Sequence, residues 1–268
     1  MAIYVTIDHS KSFQGQAPWV QAIPLKETSL PAPGKHTATV ILLHGFANSG
    51  AAWEPIATYL QTSLPHVKFI LPNASIINVH VPIAGAPGET QLPAWWDPLL
   101  TDRIPSGWAG KDTPINDVEG FKKATANLEK IIEEEAKLVP PGRVILGGFS
   151  QGTVLSLAVG LENAKVGGII ALSSSLSVSD SFKSVGTTDP STLKKAIFWA
   201  HGTADYLPIN WATQSIDYLV NPVGFKKISK NEAPTAGTIT WSSYEGLKHE
   251  TNEEELEDIQ KWLAIILA

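Results

Sequence analysis

Apolar and polar positions along this chain follow two different periods. Short runs rich in β-branched residues recur at Thr37 to Leu43, Val67 to Leu71, Arg143 to Leu146, Gly168 to Leu172, Ala196 to Ala200 and Thr238 to Tyr244. Several are apolar throughout, as strands covered on both faces are. Between them the spacing becomes helical. Ala51–Ser63 follows Ser49, and Thr153–Leu161 is an apolar helical stretch. Asp117–Leu138 follows Asn116 as cap, with Glu119 three residues on, and puts Phe121, Ala124, Leu128, Ile131 and Ile132 on one face. The last helix begins near Thr251 or Asn252, and Leu256, Ile259, Leu263 and Ile266 form its buried stripe. Glu253, Glu254 and Glu255 fall in its first turn, where the helix dipole favours negative charge, and read as a solvated helix start.

Strand–helix alternation predicts an α/β fold: a mostly parallel central sheet with helices on both faces. No internal repeat and no linker divides the chain. The expectation is an N-terminal extension over 1–36, of which 9–36 is rich in Pro, Ser and Gly, followed by a single domain over 37–268. Two long segments, 74–116 and 176–194, interrupt the alternation and are expected to cap the carboxyl edge of the sheet.

Composition narrows the chemistry. The 268 residues carry 20 Lys and Arg against 26 Asp and Glu, and the net charge of −6 argues against nucleic acid or an anionic membrane as partner. There is no cysteine, which removes disulfides, zinc–cysteine sites, iron–sulfur clusters and thiol catalysis together. No run of about 18 apolar residues exists to span a bilayer, and the first residues are not expected to act as a secretory leader. The expectation is a soluble, cytoplasmic protein without stable membrane insertion. No H-E-x-x-H and no phosphate-loop pattern occurs, so no metal and no cofactor is expected.

The strand Arg143–Leu146 runs into Gly147-Gly148-Phe149-Ser150-Gln151-Gly152 and then into a helix. This is G-x-S-x-G in the strand–turn–helix context that strains a serine and exposes its hydroxyl. A serine hydroxyl needs a general base, usually a histidine held by a carboxylate. In this architecture the chain order is serine, acid, histidine. Of the seven histidines only His201 and His249 follow Ser150. His201 ends a strand and precedes every well-placed acid, so a structural hydrogen bond suits it better. His249 stands in a loop after Thr238–Tyr244, at the sheet edge that carries Ser150. Asp205, four residues past His201, is the acid of choice over Asp180, Asp189 and Asp217. The oxyanion needs two donors, and the N–H groups of Phe46, after Leu43-His44-Gly45, and of Gln151 are placed for it. His44 precedes Ser150 and is expected to brace its loop.

Leu43-His44-Gly45, Gly147-Gly148-Phe149-Ser150-Gln151-Gly152, His201-Gly202-Thr203-Ala204-Asp205 and Tyr244-Glu245-Gly246-Leu247-Lys248-His249 resemble the acyl-protein thioesterase, lysophospholipase and carboxylesterase branch of the α/β-hydrolases. Pro93-Ala94-Trp95-Trp96-Asp97 is similar to a further segment of that family. The resemblance implies the α/β-hydrolase fold, a triad of Ser150, Asp205 and His249, and hydrolysis of carboxylic esters or thioesters through an acyl-enzyme. The substrate would be a small molecule or an acylated protein. An alternative keeps the triad but acts on a specialised small-molecule ester, with a substrate hydroxyl resolving the acyl-enzyme to form a lactone or transfer the acyl group. Thr153 departs from the family pattern, where a glycine usually follows the elbow.

Nine tryptophans are many for this length. Trp199, Trp241 and Trp262 fall in strand or helix patterns and read as core. Trp95, Trp96 and Trp108 fall in the long segments above the proposed site. Trp95 and Trp96 are expected to wall the substrate channel.

Overall fold

The computed structural model describes residues 28–80, 89–98, 115, 117–176 and 195–268. Eight strands form one sheet in the order β1-β3-β2-β6-β7-β8-β10-β9. They are β1 (Thr28–Leu30), β2 (Ala38–Leu43), β3 (Val67–Leu71), β6 (Val144–Phe149), β7 (Val166–Leu172), β8 (Ala196–Gly202), β9 (Lys226–Ser229) and β10 (Thr238–Tyr244). Every pairing is parallel except that of β1, which lies antiparallel to β3. Two further strands, β4 (Ile76–His80) and β5 (Glu89–Pro93), form a separate antiparallel pair.

The two faces of the sheet are covered by different helices. Ile41, Leu43, Leu146, Ile169, Ile197 and Ile239 point into one core with α2 (Val118–Glu135), α3 (Gln151–Glu162) and α4 (Ile209–Val220). The alternate positions Val40, Leu42, Ile145, Ile170 and Phe198 point into the other, with α1 (Glu54–Gln61) and α5 (Glu253–Ile266). This is the two-sided burial that uniformly apolar strands require.

The six strands expected from apolar runs are all present. The additional ones have a common physical signature: each buries little. Only Val79 of β4 is buried, and in β9, at the sheet edge, only Ile228 is. An edge strand carrying Lys226 and Lys227 offers no apolar run to recognise. The strand β1 comes from the segment read as extension, and its Ser29 opposes Ile70 on β3.

Two helix starts differ from the expectation. The stretch from Ala51 begins as a 3-10 turn, Gly50–Trp53, and becomes α-helical at Glu54, with Pro55 where its missing N–H has no helical partner to lose. The cap of α2 is Asp117, whose Oδ1 accepts from Gly120 N–H at 2.9 Å, while Glu119 pairs outward with Lys122. The larger correction concerns α5. Asn252 caps it, accepting from the N–H of Glu255 at 2.9 Å, and Glu253 and Glu254 face solvent as expected. Glu255 does not: it is wholly buried. The helix dipole explains its place in the first turn but not its burial, which follows from the packing of α5 on the sheet.

Among the described residues no helix is long and apolar enough to cross a membrane, and no three His, Asp or Glu side chains group as metal ligands. Trp108, Asp180 and Asp189 lie outside the described residues.

Candidate active site

The carboxyl ends of β2, β6, β8 and β10 open on one edge, and each delivers one part of the site. Ser150 lies between the end of β6 and the start of α3, with φ 53° and ψ −117°. A non-glycine residue there costs about 1–3 kcal/mol, so the surroundings must hold it. They do so by hydrogen bonds. Ser150 N–H donates to Leu172 O at 3.0 Å, tying the elbow to β7. Thr153, the departure from the family pattern, adds more: its hydroxyl reaches Gly148 O at 2.6 Å and Leu172 O at 2.8 Å, and it accepts from Leu172 N–H at 3.1 Å. Those two carbonyls share the one hydroxyl proton. The turn also packs tightly on β2, for a methyl group at Gly152 would stand 2.4 Å from Leu43 O.

Asp205 and His249 meet beside it. His249 Nδ1 lies 3.0 and 2.9 Å from the two carboxylate oxygens of Asp205. An ionised carboxylate only accepts, so Nδ1 carries the proton and Nε2 is left as base. Two neighbouring loops are laced together to bring them there. Thr203 N–H donates to Tyr244 O, Ala204 N–H to Leu247 O, and Gly246 N–H to the hydroxyl of Thr203. Gly202 permits the approach, since a methyl group on it would lie 2.1 Å from Leu247 O. Gly202→Ala is therefore expected to separate the acid from the base. Unfolding in urea should show a loss of about 1–3 kcal/mol, as for other overpacked sites, together with reduced turnover.

The Ser150 hydroxyl is buried and has no hydrogen-bond partner among the described residues. Such catalytic contacts are often open before substrate binds. The oxyanion side is close at hand: a methyl group at Gly45 would be 3.3 Å from Ser150 Cβ. This puts the Phe46 loop against the elbow, where Gln151 opens α3 with an N–H that the helix itself leaves unpaired.

Both spare histidines have the bracing roles read from chain order. His44 Nδ1 donates to Gly45 O at 2.7 Å, its Nε2 accepts from Ala74 N–H at 3.0 Å, and burial lowers its pKa to about 4. It is a neutral strut. His201 Nε2 donates to Leu207 O at 2.8 Å, and burial lowers its pKa too.

Of the two tryptophans expected in the channel wall, Trp95 donates its indole N–H to His44 O at 2.8 Å and borders a cavity of about 550 Å³. Leu43, Ile77, Ala124, Leu128 and Ile131 line the apolar part of that cavity. Trp96 is buried in the core, edge-on to Phe121 at 5.1 Å. Sequence reasoning missed what holds this pair. The Gln151 side chain accepts from Trp95 N–H at 3.1 Å and donates to Trp96 O at 2.9 Å, fastening the tryptophan segment to the elbow. A glutamine beside the nucleophile carries no mark of that role until the two segments are seen together.

Glu255 is the second residue that the sequence did not single out. Burial raises its pKa to about 8, and the nearby carboxylates of Asp205 and Asp258 push it the same way. Neither of its oxygens has a hydrogen-bond partner among the described residues. Burial and the repulsion from Asp205 and Asp258 therefore favour its neutral form.

The fold is shared with known proteins. Residues 30–267 match the phospholipase/carboxylesterase family model of the α/β-hydrolases. Acyl-protein thioesterase 1 of Yarrowia lipolytica is 35% identical, over 90% of this chain and 96% of that protein. Acyl-protein thioesterase 1 of Cryptococcus neoformans is 32% identical, over 89% and 96%. Among solved structures, Arabidopsis thaliana SOBER1 superposes with a TM-score of 0.67 at 26% identity, covering 87% of this chain and all of that one. Zea mays acyl-protein thioesterase 2, at 23% identity, shares the fold with a TM-score of 0.68 over 91% of this chain and 99% of its own.

Proposed function

The chain belongs to the phospholipase/carboxylesterase family of α/β-hydrolases, and from that premise we propose that it cleaves acyl esters or thioesters through an acyl-enzyme on Ser150, with Asp205 and His249 completing the triad. The hydrogen-bonded Asp205–His249 pair beside a strained Ser150 is the observation that carries the reading. His249 Nε2 takes the Ser150 proton as the oxygen attacks the carbonyl. The N–H groups of Phe46 and Gln151 hold the oxyanion. His249 then returns the proton to the leaving oxygen or sulfur, and water resolves the acyl-enzyme by the same route. No step calls for a metal or cofactor.

The relatives named acyl-protein thioesterase support an acylated protein as substrate, with a small acyl ester as the simpler one. The cavity beside Trp95 sets Leu43, Ile77, Leu128 and Ile131 against Asn73, Asp97, Asp117 and Lys123 and is bordered by none of the triad, so support for an acyl substrate comes from the relatives and not from this cavity. Trp95 forms its wall and Trp96 stands behind it. A cytoplasmic location suits substrates of this kind.

A fluorophosphonate probe tests the nucleophile: one adduct is expected, on Ser150, and folded protein left unlabelled would sink the proposal. Hydrolysis of p-nitrophenyl esters from two to sixteen carbons, with a palmitoyl thioester alongside, tests the acyl pocket. Activity should rise with chain length and extend to the thioester. A preference for the shortest esters would point instead to a specialised small-molecule substrate.

A further inference from the structure

His249 is held in a way that the triad does not require. Its Nδ1 edge is closed by Asp205, and two aromatic rings from separate parts of the chain lie against it. Phe149, the last residue of β6, has its ring centroid 4.7 Å from that of His249, tilted by 53°. Tyr206, directly after the triad acid, lies at 4.4 Å, tilted by 49°. The placement of Tyr206 has a local cause. Asp205 Oδ1 also accepts from Leu207 N–H at 2.8 Å, closing a two-residue Asx turn with Tyr206 at its centre. The carboxylate that orients the imidazole thus also directs the tyrosine onto it. Tyr206 is 60% exposed, so burial of its own ring is a weak reason for its position, whereas His249 is only 8% exposed.

We propose that Tyr206 is a positioning residue for His249, one jaw of an aromatic clamp with Phe149 that fixes the imidazole plane and stabilises the imidazolium formed as Ser150 loses its proton. The proposal rests on His249 being the base of the acyl transfer. Its physics is the attraction of a cation within about 6 Å of a ring centroid. Both rings meet that distance, and the low exposure of His249 limits screening by water. The same rings lie against the imidazole before reaction, while Asp205 holds its Nδ1 edge.

Other groups bear on the charge of His249 and must stay unchanged in the test. Asp205 pairs with it, and His201, neutral and bonded to Leu207 O, lies 3.8 Å from Asp205. Glu255 acts on the same aspartate from α5, with Asp258 one turn further on. None of these is altered by a change at Tyr206, which is exposed enough for its variants to fold.

The discriminating pair is Tyr206→Phe and Tyr206→Leu. Leucine keeps apolar cover over the imidazole but removes the aromatic face; phenylalanine keeps the face and loses only the hydroxyl. NMR titration of the His249 ring and the pH profile of kcat/KM supply the readout. With Leu the His249 pKa should fall by about half to one unit and kcat should drop about three- to tenfold, matching the strength of such contacts. With Phe the pKa should stay within about 0.3 unit of the parent and kcat within about twofold. A Leu variant that titrates and turns over like the parent would overturn the proposal. So would a Phe variant as impaired as Leu, which would assign the effect to the hydroxyl. His249→Ala serves as a separate control. If that variant keeps its activity, the assignment of the base fails; if it is inactive while Tyr206→Leu is unaffected, only the clamp fails.

Discussion

Ser150→Ala is expected to lower kcat/KM by about 10⁴–10⁶, the range seen when the nucleophile of a serine triad is removed. It should abolish fluorophosphonate labelling while the protein still folds. The two effects separate because the Ser150 hydroxyl makes no hydrogen bond among the described residues, so its loss strands no partner. The elbow is held by the Ser150 N–H on Leu172 O and by Thr153, both of which survive the change. A melting temperature within a few degrees of the parent, with activity at background, is the expected result. Turnover reduced only a few-fold would mean that another group attacks the carbonyl.

Glu255→Gln is expected to change how stability depends on pH, by an amount larger than most single substitutions. Unfolded, the acid has the ordinary carboxylate pKa of 4.5; in the folded protein burial, and then repulsion by Asp205 and Asp258, pushes it up to about 8. A folded pKa raised in this way makes the contribution of Glu255 to stability greatest below pH 4.5. That contribution is lost as the pH rises through about 8, since the unfolded chain releases its proton first. The glutamine variant has no proton to lose. Relative to its value at pH 4.5, its stability should gain on the parent by about 3–5 kcal/mol by pH 8, at about 1.4 kcal/mol per pH unit of separation. Urea unfolding of both proteins at pH 5 and pH 8 checks this. A gap between them that does not change with pH would show that Glu255 is charged, or solvated, in the folded state. His44 opposes this trend at lower pH. Its folded pKa of about 4 means that stability falls as the pH drops below about 6.5, where the unfolded histidine begins to take up a proton.

The triad candidates were legible because three separate constraints converge on them. The Gly148-Phe149-Ser150-Gln151-Gly152 pattern sits between a strand and a helix, the order of acid and base is tied to the direction of the sheet, and only two histidines follow the serine. Each constraint acts within a few residues or along the chain, where a sequence records it. His201 was separated from His249 on that ground, and its hydrogen bond to Leu207 O agrees. The Gln151 side chain, Glu255 and Tyr206 were not legible in the same way. Gln151 meets Trp95 and Trp96 across more than fifty residues of chain. Glu255 looks like any acid in a helix's first turn, where dipole and solvent both suit it, until α5 is laid on the sheet.

By itself the sequence determined the period of each element, and hence a parallel sheet buried on both faces, and it determined which serine, acid and histidine stand at the carboxyl edge. Those properties follow from local backbone preference and from the alternation of apolar residues, which act at short range. The tertiary structure alone decided the environment of each group: which carboxyl loses its water, which rings lie against the imidazole, which tryptophan borders a cavity and which is core. Desolvation and ring contact depend on atoms brought together from distant parts of the chain, and no spacing in the sequence encodes their distance.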